Sequence, residues 1–305
     1  MDLFRMRCFI AVTKQLNLTR AAEVMGITQP AMSVQMRELE RETGLRLIER
    51  SKGHIAITDA GKEVADGFRA ILSLYDDTMA HARSAGCGKV DRIRTGYHGS
   101  LTAFAPLYQG FRRLHPQLET MVRIAEWRQL AEMVVSGELD VAFVERHEAE
   151  VRPALSLRPF LTEHYFCAAV CADSPLARAP SLTIDQINGE TILMNGFDSP
   201  SMDSMLHQLI ANGIPRDHIR LTDTVDDAIA MAASGLGVAT MPRFLAMAGN
   251  PSVTWVPIRG LRFVCDIVAI WRANSMRAAL EAFITYSMRS DVIENMRATW
   301  PAAME

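Results

Sequence analysis

The chain has 305 residues, 49% of them hydrophobic, with 32 Lys and Arg against 35 Asp and Glu and a net charge of −3. That length exceeds what one hydrophobic core usually organises, and the composition excludes collagen-like, coil-only and disordered chains. The opening Met1-Asp2-Leu3-Phe4-Arg5 lacks a basic stretch leading into an apolar one, and no apolar run reaches the length of a membrane span, so secretion and membrane spanning are not expected.

Five cysteines, Cys8, Cys87, Cys167, Cys171 and Cys265, are odd in number and spread over the whole length, which suggests reduced thiols in a cytoplasm rather than a disulfide framework. Residues 1–58 carry nine basic and six acidic residues while the remainder is net acidic, as suits a small module that meets phosphates on a body with another task.

In chain order, Leu3, Phe4, Met6, Phe9, Ile10 and Thr13 recur at helical spacing, and Thr19 is a candidate N-cap for a short helix over Arg20 to Met25, ended by Gly26. Thr28 caps a third helix with Pro30 in its first turn and Ala31, Met32, Met36 and Leu39 as the inward stripe. Gln29, Ser33 and Arg37 then fall on the opposite face, flanked by Pro30 and Val34. Such a face suits a major groove: Gln pairs with an adenine edge, Arg with guanine or phosphate, and Val34 with a thymine methyl, while the Thr28 end of the helix suits a phosphate. Taken alone, such a face is more often a solvated helix face than a DNA-bound one. The hairpin that follows, Leu47 to Arg50, a Ser51-Lys52-Gly53 turn and His54 to Ile57, places Arg50 and Lys52 on a wing and tips the balance to DNA.

From Thr58-Asp59-Ala60-Gly61 a new element starts. Val64, Phe68, Ile71, Tyr75, Met79 and Ala82 form a narrow seam on a helix about 27 residues and about 40 Å long, which asks for a partner helix. Ser84-Ala85-Gly86-Cys87-Gly88 is the clearest linker. Beyond it strands and helices alternate twice. Strands are expected at Arg92–Tyr97, 119–124 and 139–144 and again at 191–194, 220–222 and 237–241, with helices between them. Tyr165–Cys171 and Val264–Trp271 are candidate strands passing between two small α/β lobes that leave a cleft.

These residues carry a resemblance. Asn17-Leu18-Thr19-Arg20-Ala21-Ala22-Glu23, Thr28-Gln29-Pro30-Ala31-Met32-Ser33, Leu39-Glu40, Gly44, Leu47-Ile48-Glu49-Arg50 and Ile57-Thr58-Asp59-Ala60-Gly61 resemble the winged helix–turn–helix of LysR-type transcriptional regulators. The resemblance extends along the chain through Ser136-Gly137-Glu138-Leu139-Asp140-Val141-Ala142 and Ala233 to Pro242. Asn17, Thr28, Val34 and Ile48 depart from the residues usual in that family.

The resemblance implies a mainly α winged head (1–58), a dimerising linker helix and hinge (59–89), and an α/β two-lobed, periplasmic-binding-protein-like effector domain (90–305), with lobe I at about 90–162 and 268–305 and lobe II at about 163–267. It implies a homodimer or homotetramer on dyad-symmetric duplex DNA, with RNA polymerase as a further partner it allows, and a small effector in the interlobe cleft. Independently, ligands of parallel α/β lobes gather at the carboxyl ends of strands, so the loops Tyr97–Thr102 and Asn195–Ser201 are expected to face one another. Ser100, Thr102, Ser199 and Ser201 then offer hydroxyls to an organic anion, joined by Asn195 and Thr224, although each hydroxyl is equally an N-cap. Phe197 or Trp127 covers its apolar part, and Arg128 or Arg146 pairs with its carboxylate. Trp127 is open to three readings: stacking on the effector, narrowing the cleft, or packing within its lobe.

Patterns for a catalytic elbow, a zinc motif or a Walker loop are absent, so no enzyme, cofactor or metal is expected. Cys167 and Cys171 lie about 13 Å apart along a strand, too far to bridge. Two alternatives remain at this stage. One is a thiol redox sensor on the same scaffold, which needs a low-pKa cysteine; the other is a binding module or enzyme to which the basic head is incidental.

Overall fold

The computed structural model describes residues 1–51, 54–87, 91–99, 101–195, 199–246, 250–261 and 264–300. The chain falls into two compact units, Met1–Val90 with Glu132–Leu139, and Asp91–Ala131 with Asp140–Glu305.

In the first unit α1 (Leu3–Gln15), α2 (Leu18–Met25) and α3 (Gln29–Thr43) precede β1 (Ile48–Ser51), β2 (His54–Ile57) and the long α4 (Asp59–Cys87). Each early helix is punctuated by its own residues. Asn17 caps α2, its side-chain oxygen accepting from the backbone N–H groups of Thr19 and Arg20 at 2.9 and 3.1 Å, so Thr19 sits inside the first turn and is not the cap. Gly26 and Gly44 end α2 and α3 in the left-handed region. Phe4, expected on the inner face of α1, is exposed; Cys8, Phe9 and Val12 form that face and pack on Met32, Met36, Leu39 and Leu47. Glu40 anchors the hairpin by accepting from the N–H groups of Leu47 (2.8 Å) and Ile48 (3.2 Å). Gly61 is required where α4 begins, since a Cβ there would meet the Leu47 carbonyl oxygen at 2.2 Å. Helix α4 runs on through Gly86 to Cys87, so the expected linker is helical up to that point, and Gly88 lies outside the described residues.

The second unit holds two five-stranded sheets. The first collects β3 (Asp91–Tyr97), β4 (Leu118–Ile124), β5 (Val141–Glu145), β6 (Leu155–Glu163) and, returning late in the chain, β12 (Cys265–Arg272) in the order β4-β3-β5-β12-β6. Helices α5 (Leu101–Leu114), α6 (Trp127–Val135), α7 (Arg146–Glu150), α11 (Ala278–Ser287) and α12 (Ser290–Arg297) belong to the same stretches. The second sheet collects β7 (Phe166–Cys171), β8 (Ile192–Asn195), β9 (Ile219–Thr222), β10 (Val238–Pro242) and β11 (Val253–Ile258) in the order β11-β7-β10-β8-β9, with α8 (Ile184–Ile187), α9 (Pro200–Ala211) and α10 (Val225–Ala233) between strands. In each lobe three strands run parallel, and one strand that has crossed from the other lobe pairs antiparallel beside them. The chain crosses between Glu163 and Phe166 and again between Ile258 and Cys265.

β5, β8 and β10 are buried at every position, as strands covered on both faces must be. The two strands not foreseen, β6 and β11, are sheet edges that carry Pro159 and Pro257. Proline is tolerated at edges and bulges, and Pro159 lies beside the register shift in the β12–β6 pair.

Candidate functional site

On α3 the buried and exposed faces separate cleanly. Met32, Met36 and Leu39 are in the core; Thr28, Gln29, Pro30, Val34 and Arg37 are exposed and Ser33 is half-buried. The Thr28 hydroxyl accepts from the Ala31 N–H, capping the helix, and the Gln29 amide donates to the Ser33 hydroxyl at 3.0 Å. Thr19 is exposed in the first turn of α2, and Arg50 lies on β1, the first strand of the wing; Lys52 is outside the described residues. One face of the helix is anchored by Met32, Met36 and Leu39, and the other presents a cap, an amide, a hydroxyl and a guanidinium, groups whose chemistry can pair with base edges and phosphates.

The seam on α4 divides. Val64 packs on the head core and Phe68, 5% exposed, meets Phe9 edge-on with ring centroids 6.0 Å apart, so both serve the head itself rather than a partner helix. Beyond them Ile71 (46%), Leu74 (60%), Tyr75 (42%) and Met79 (36%) stand exposed. Leu74 was not anticipated; it joins Ile71 and Tyr75 because the free face of the helix is wider than a strict seam.

In the two-lobed unit the expected effector residues scatter into different roles. Ser100 and Phe197 are outside the described residues, and Thr102 lies in the first turn of α5. Trp127, 4% exposed, tilts against the His98 ring at 5.1 Å and belongs to the packing of its lobe. Burial pushes His98 down to about 4, against the raising effect of its contact with the Ala125 carbonyl oxygen. Thr224 caps α10, accepting from the Asp227 N–H and donating to its carboxylate, so its hydroxyl is engaged there. Arg146 pairs with Asp266 at 3.5 Å, while Arg128 is exposed on α6. Ser199 caps α9 and exchanges a hydrogen bond with the Ser201 hydroxyl at 3.0 Å. Asn195, buried, ends β8.

Contacts between the lobes fall to Ser201, expected above as a ligand hydroxyl, and to Glu163, Arg243 and Cys265, which the sequence reading did not place at a site. The Ser201 hydroxyl hydrogen-bonds with the Cys265 thiol at the start of β12, joining α9 of one lobe to the sheet of the other. Arg243, buried at the end of β10, is 3.3 Å from the Glu163 carboxylate and lies over the Tyr165 and Trp300 rings at 5.2 and 5.4 Å. The one signal available in the sequence was position: Glu163, Ser201, Arg243 and Cys265 all lie at the ends of strands or helices where the lobes meet.

Three of the five thiols, those of Cys8, Cys167 and Cys265, are poor nucleophiles. Burial pushes Cys8 up to about 11 and raises Cys167 and Cys265 further, and all three are buried free cysteines. That is opposite to the environment of a reactive sensor cysteine. Among the described residues no group of three or more His, Cys, Asp or Glu is placed to hold a metal, and no helix is long and apolar enough to cross a membrane. A depression of about 480 Å³ lies in the second lobe between β9 and α10, lined by Arg220, Thr222, Asp227, Met231 and Leu236 among others.

Comparison with known proteins agrees with this division of labour. The family described as "Bacterial regulatory helix-turn-helix protein, lysR family" matches residues 3–62, and that described as "LysR substrate binding domain" matches residues 92–290. The chain is 27% identical over 293 residues to the HTH-type transcriptional regulator BudR of Raoultella terrigena, covering 93% of this chain and 99% of that protein. It is 26% identical over 294 residues to the Hca operon transcriptional activator HcaR of Escherichia coli, covering 93% and 96%. Among solved structures CbnR, a LysR family transcriptional regulator, superposes with a TM-score of 0.69 at 22% identity over 95% of this chain and all of that one. With a capped, exposed helix in a winged head and two α/β lobes later in the sequence, the chain belongs to the LysR family and is a ligand-responsive, DNA-binding transcriptional regulator.

Proposed function

We propose that Gln29, Ser33, Val34 and Arg37 read base edges in the major groove, that Thr19, Thr28, Arg50 and Lys52 hold the backbone, and that a homodimer sets two such heads on a dyad-symmetric operator in the cytoplasm. The observation that carries this reading is the exposed Gln29–Ser33–Arg37 row opposite the buried Met32, Met36 and Leu39. Arg37 has no hydrogen bond or ion pair among the described residues, which leaves its guanidinium available. Dimerisation is supported by the exposed Ile71, Leu74, Tyr75 and Met79 of α4, an apolar row that water disfavours. CbnR has been solved in a complex with its target DNA, and it superposes on this chain with a TM-score of 0.65.

The effector in this reading is a small organic anion at the carboxyl strand ends, received by the N-terminus of α9 with Ser199 and Asn195. The lobes bind and signal; they catalyse nothing. Effector binding changes operator affinity by the difference in its affinity for the DNA-competent and DNA-incompetent states.

Selection of operator fragments from genomic DNA, followed by titration of Gln29→Ala, Ser33→Ala and Arg37→Ala, tests the head. Each loss is expected to depend on the base opposite, by about 1–3 kcal/mol per contact. Losses equal on every operator would make these residues phosphate contacts. Ile71→Asp with Tyr75→Asp should yield monomers that bind DNA weakly; a dimer of unchanged affinity would overturn the role of α4.

A further inference from the structure

Three polar side chains of the first lobe stand on one face of its sheet. Ile267 pairs with Glu145 and Cys265 pairs with Glu163, so Glu145, Cys265 and Glu163 project to the same side, at the edge where the lobes meet. The second lobe meets two of them. Arg243 is 3.3 Å from Glu163, and the Ser201 hydroxyl reaches the Cys265 thiol. Glu145 is 6% exposed, and its Oε2 has no hydrogen-bond partner; the Nδ1 of His147 stands 3.5 Å away without forming one and is itself unpartnered. On the second lobe Asn195, also 6% exposed, has its Nδ2 without an acceptor. Both residues end a strand of the parallel set, Glu145 on β5 and Asn195 on β8, which is where ligands of such lobes gather. Buried polar atoms normally find partners, and here one lobe leaves an acceptor unmet while the other leaves a donor.

We propose that the effector is a small hydroxy acid or amino acid, whose hydroxyl or ammonium group donates to Glu145 while its carboxylate accepts from Asn195. This rests on the reading of the crevice as the effector site and adds the chemistry of the ligand's second end. An acid without a donor leaves Glu145 unmet and sets two acceptors against each other. Arg146 does not alter this, since it is turned to Asp266, on the opposite face of β12 from Cys265.

The test uses the full-length protein and two matched sets of probes: propionate, lactate and alanine, and succinate, malate and aspartate. Within each set the compounds differ in what stands beside the carboxylate: hydrogen, hydroxyl or ammonium. Calorimetry should show at least one hydroxy or amino acid binding about tenfold or more tightly than its donor-free counterpart, the ratio expected for one charge-assisted hydrogen bond. Glu145→Gln separates the two donors, because a neutral amide oxygen still accepts from a hydroxyl but no longer offsets an ammonium charge. Hydroxy-acid binding should change by less than about threefold, and amino-acid binding should fall by about tenfold or more.

In the ligand-free protein Asn195→Leu and Glu145→Met should leave Tm unchanged or raise it, since each removes an unmet polar atom. A fall of Tm in both variants shows that the two groups already pair inside the protein and overturns the proposal. Donor-free acids binding as tightly as their partners overturn it, as does binding by none of the six at millimolar concentration. A probe that binds through Glu145 yet leaves operator affinity unchanged refutes the crevice as effector site and leaves the ligand chemistry standing.

Discussion

The orders β4-β3-β5-β12-β6 in the first lobe and β9-β8-β10-β7-β11 in the second trace the same path, three parallel strands and then the crossing strand, but they are filled by different side chains. The first lobe is packed by rings: Phe143 lies 4.3 Å from Phe160, 5.6 Å from Phe104 and 6.3 Å from Phe283, centroid to centroid. The second is built from Ile192, Leu193, Met194, Met205, Leu209 and Ile229. The start of the central strand differs as well. Asp140, one residue before β5, is gripped by Arg94 at 2.8 Å and Arg277 at 3.0 Å. At the matching place before β10 stands Gly237, whose Cβ, were there one, would lie 2.3 Å from the Thr191 carbonyl oxygen. In both lobes the central strand has to be tied to the strand beside it there. A buried ion network does this in one lobe and close backbone packing in the other, so topology constrains the joint and leaves its chemistry open.

Truncating the centre of each core gives the largest expected effects. Phe143→Ala should destabilise by about 4 kcal/mol and Met205→Ala by about 3 kcal/mol in denaturant unfolding. Equal losses with the aromatic neighbours repacked would mean the ring cluster is not a cooperative unit.

Asp140→Asn breaks the ion network. Burial pushes the Asp140 carboxyl up, and the hydrogen bonds of Arg94 with the charge of Arg277 more than reverse it, holding it below its ordinary value. Neutralising it leaves two guanidinium groups facing each other and should cost about 3 kcal/mol. Hydrogen exchange should show the loss concentrated at β3, β5 and the start of α11; a loss spread over the second lobe as well would show that the lobes unfold as one.

Acid sharpens the comparison. His98 titrates at about 4 in the folded protein instead of its ordinary 6.5, because burial disfavours the charged ring. Below pH 6.5 the unfolded chain takes up this proton and the folded one does not, so stability should fall as pH drops from 6.5 to about 4, by about 3 kcal/mol in all, and then level off with respect to this group. Asp140, with its lowered pKa, loses its contribution only at more acid pH. His98→Gln should flatten the first window while leaving the second; a slope that survives the substitution places the titrating group elsewhere.

Gly237→Ala carries the smallest effect of the series, about 2 kcal/mol, from a φ of +154° and the closeness of the Thr191 carbonyl. A stability equal to wild type would show that β8 yields at this joint and that close packing there is not what ties it.

Much of the head was legible in the sequence because its signals are local: the Thr28 cap, Pro30 in the first turn, glycines after α2 and α3, and the Met32–Met36–Leu39 stripe all act within a few residues. The central parallel strands β5, β8 and β10 were legible because burial on both faces demands unbroken apolar runs. Edge strands β6 and β11 were not, since an edge tolerates Pro159, Pro257 and polar residues that read as loop.

Periodicity by itself determined that α4 carries an apolar face, that α3 has a polar face opposite its core, and that two α/β series follow. Tertiary structure alone decided what covers each face. Phe68 and Ile71 share one seam, yet Phe68 closes on Phe9 while Ile71 stays exposed; Thr224 and Ser199 are both N-caps, yet only Ser199 joins the hydroxyl chain that reaches Cys265. The reason is physical: a helix or strand specifies which side chains point the same way, whereas what those side chains meet depends on strands brought together from positions more than a hundred residues apart, as Glu145 and Ile267 are.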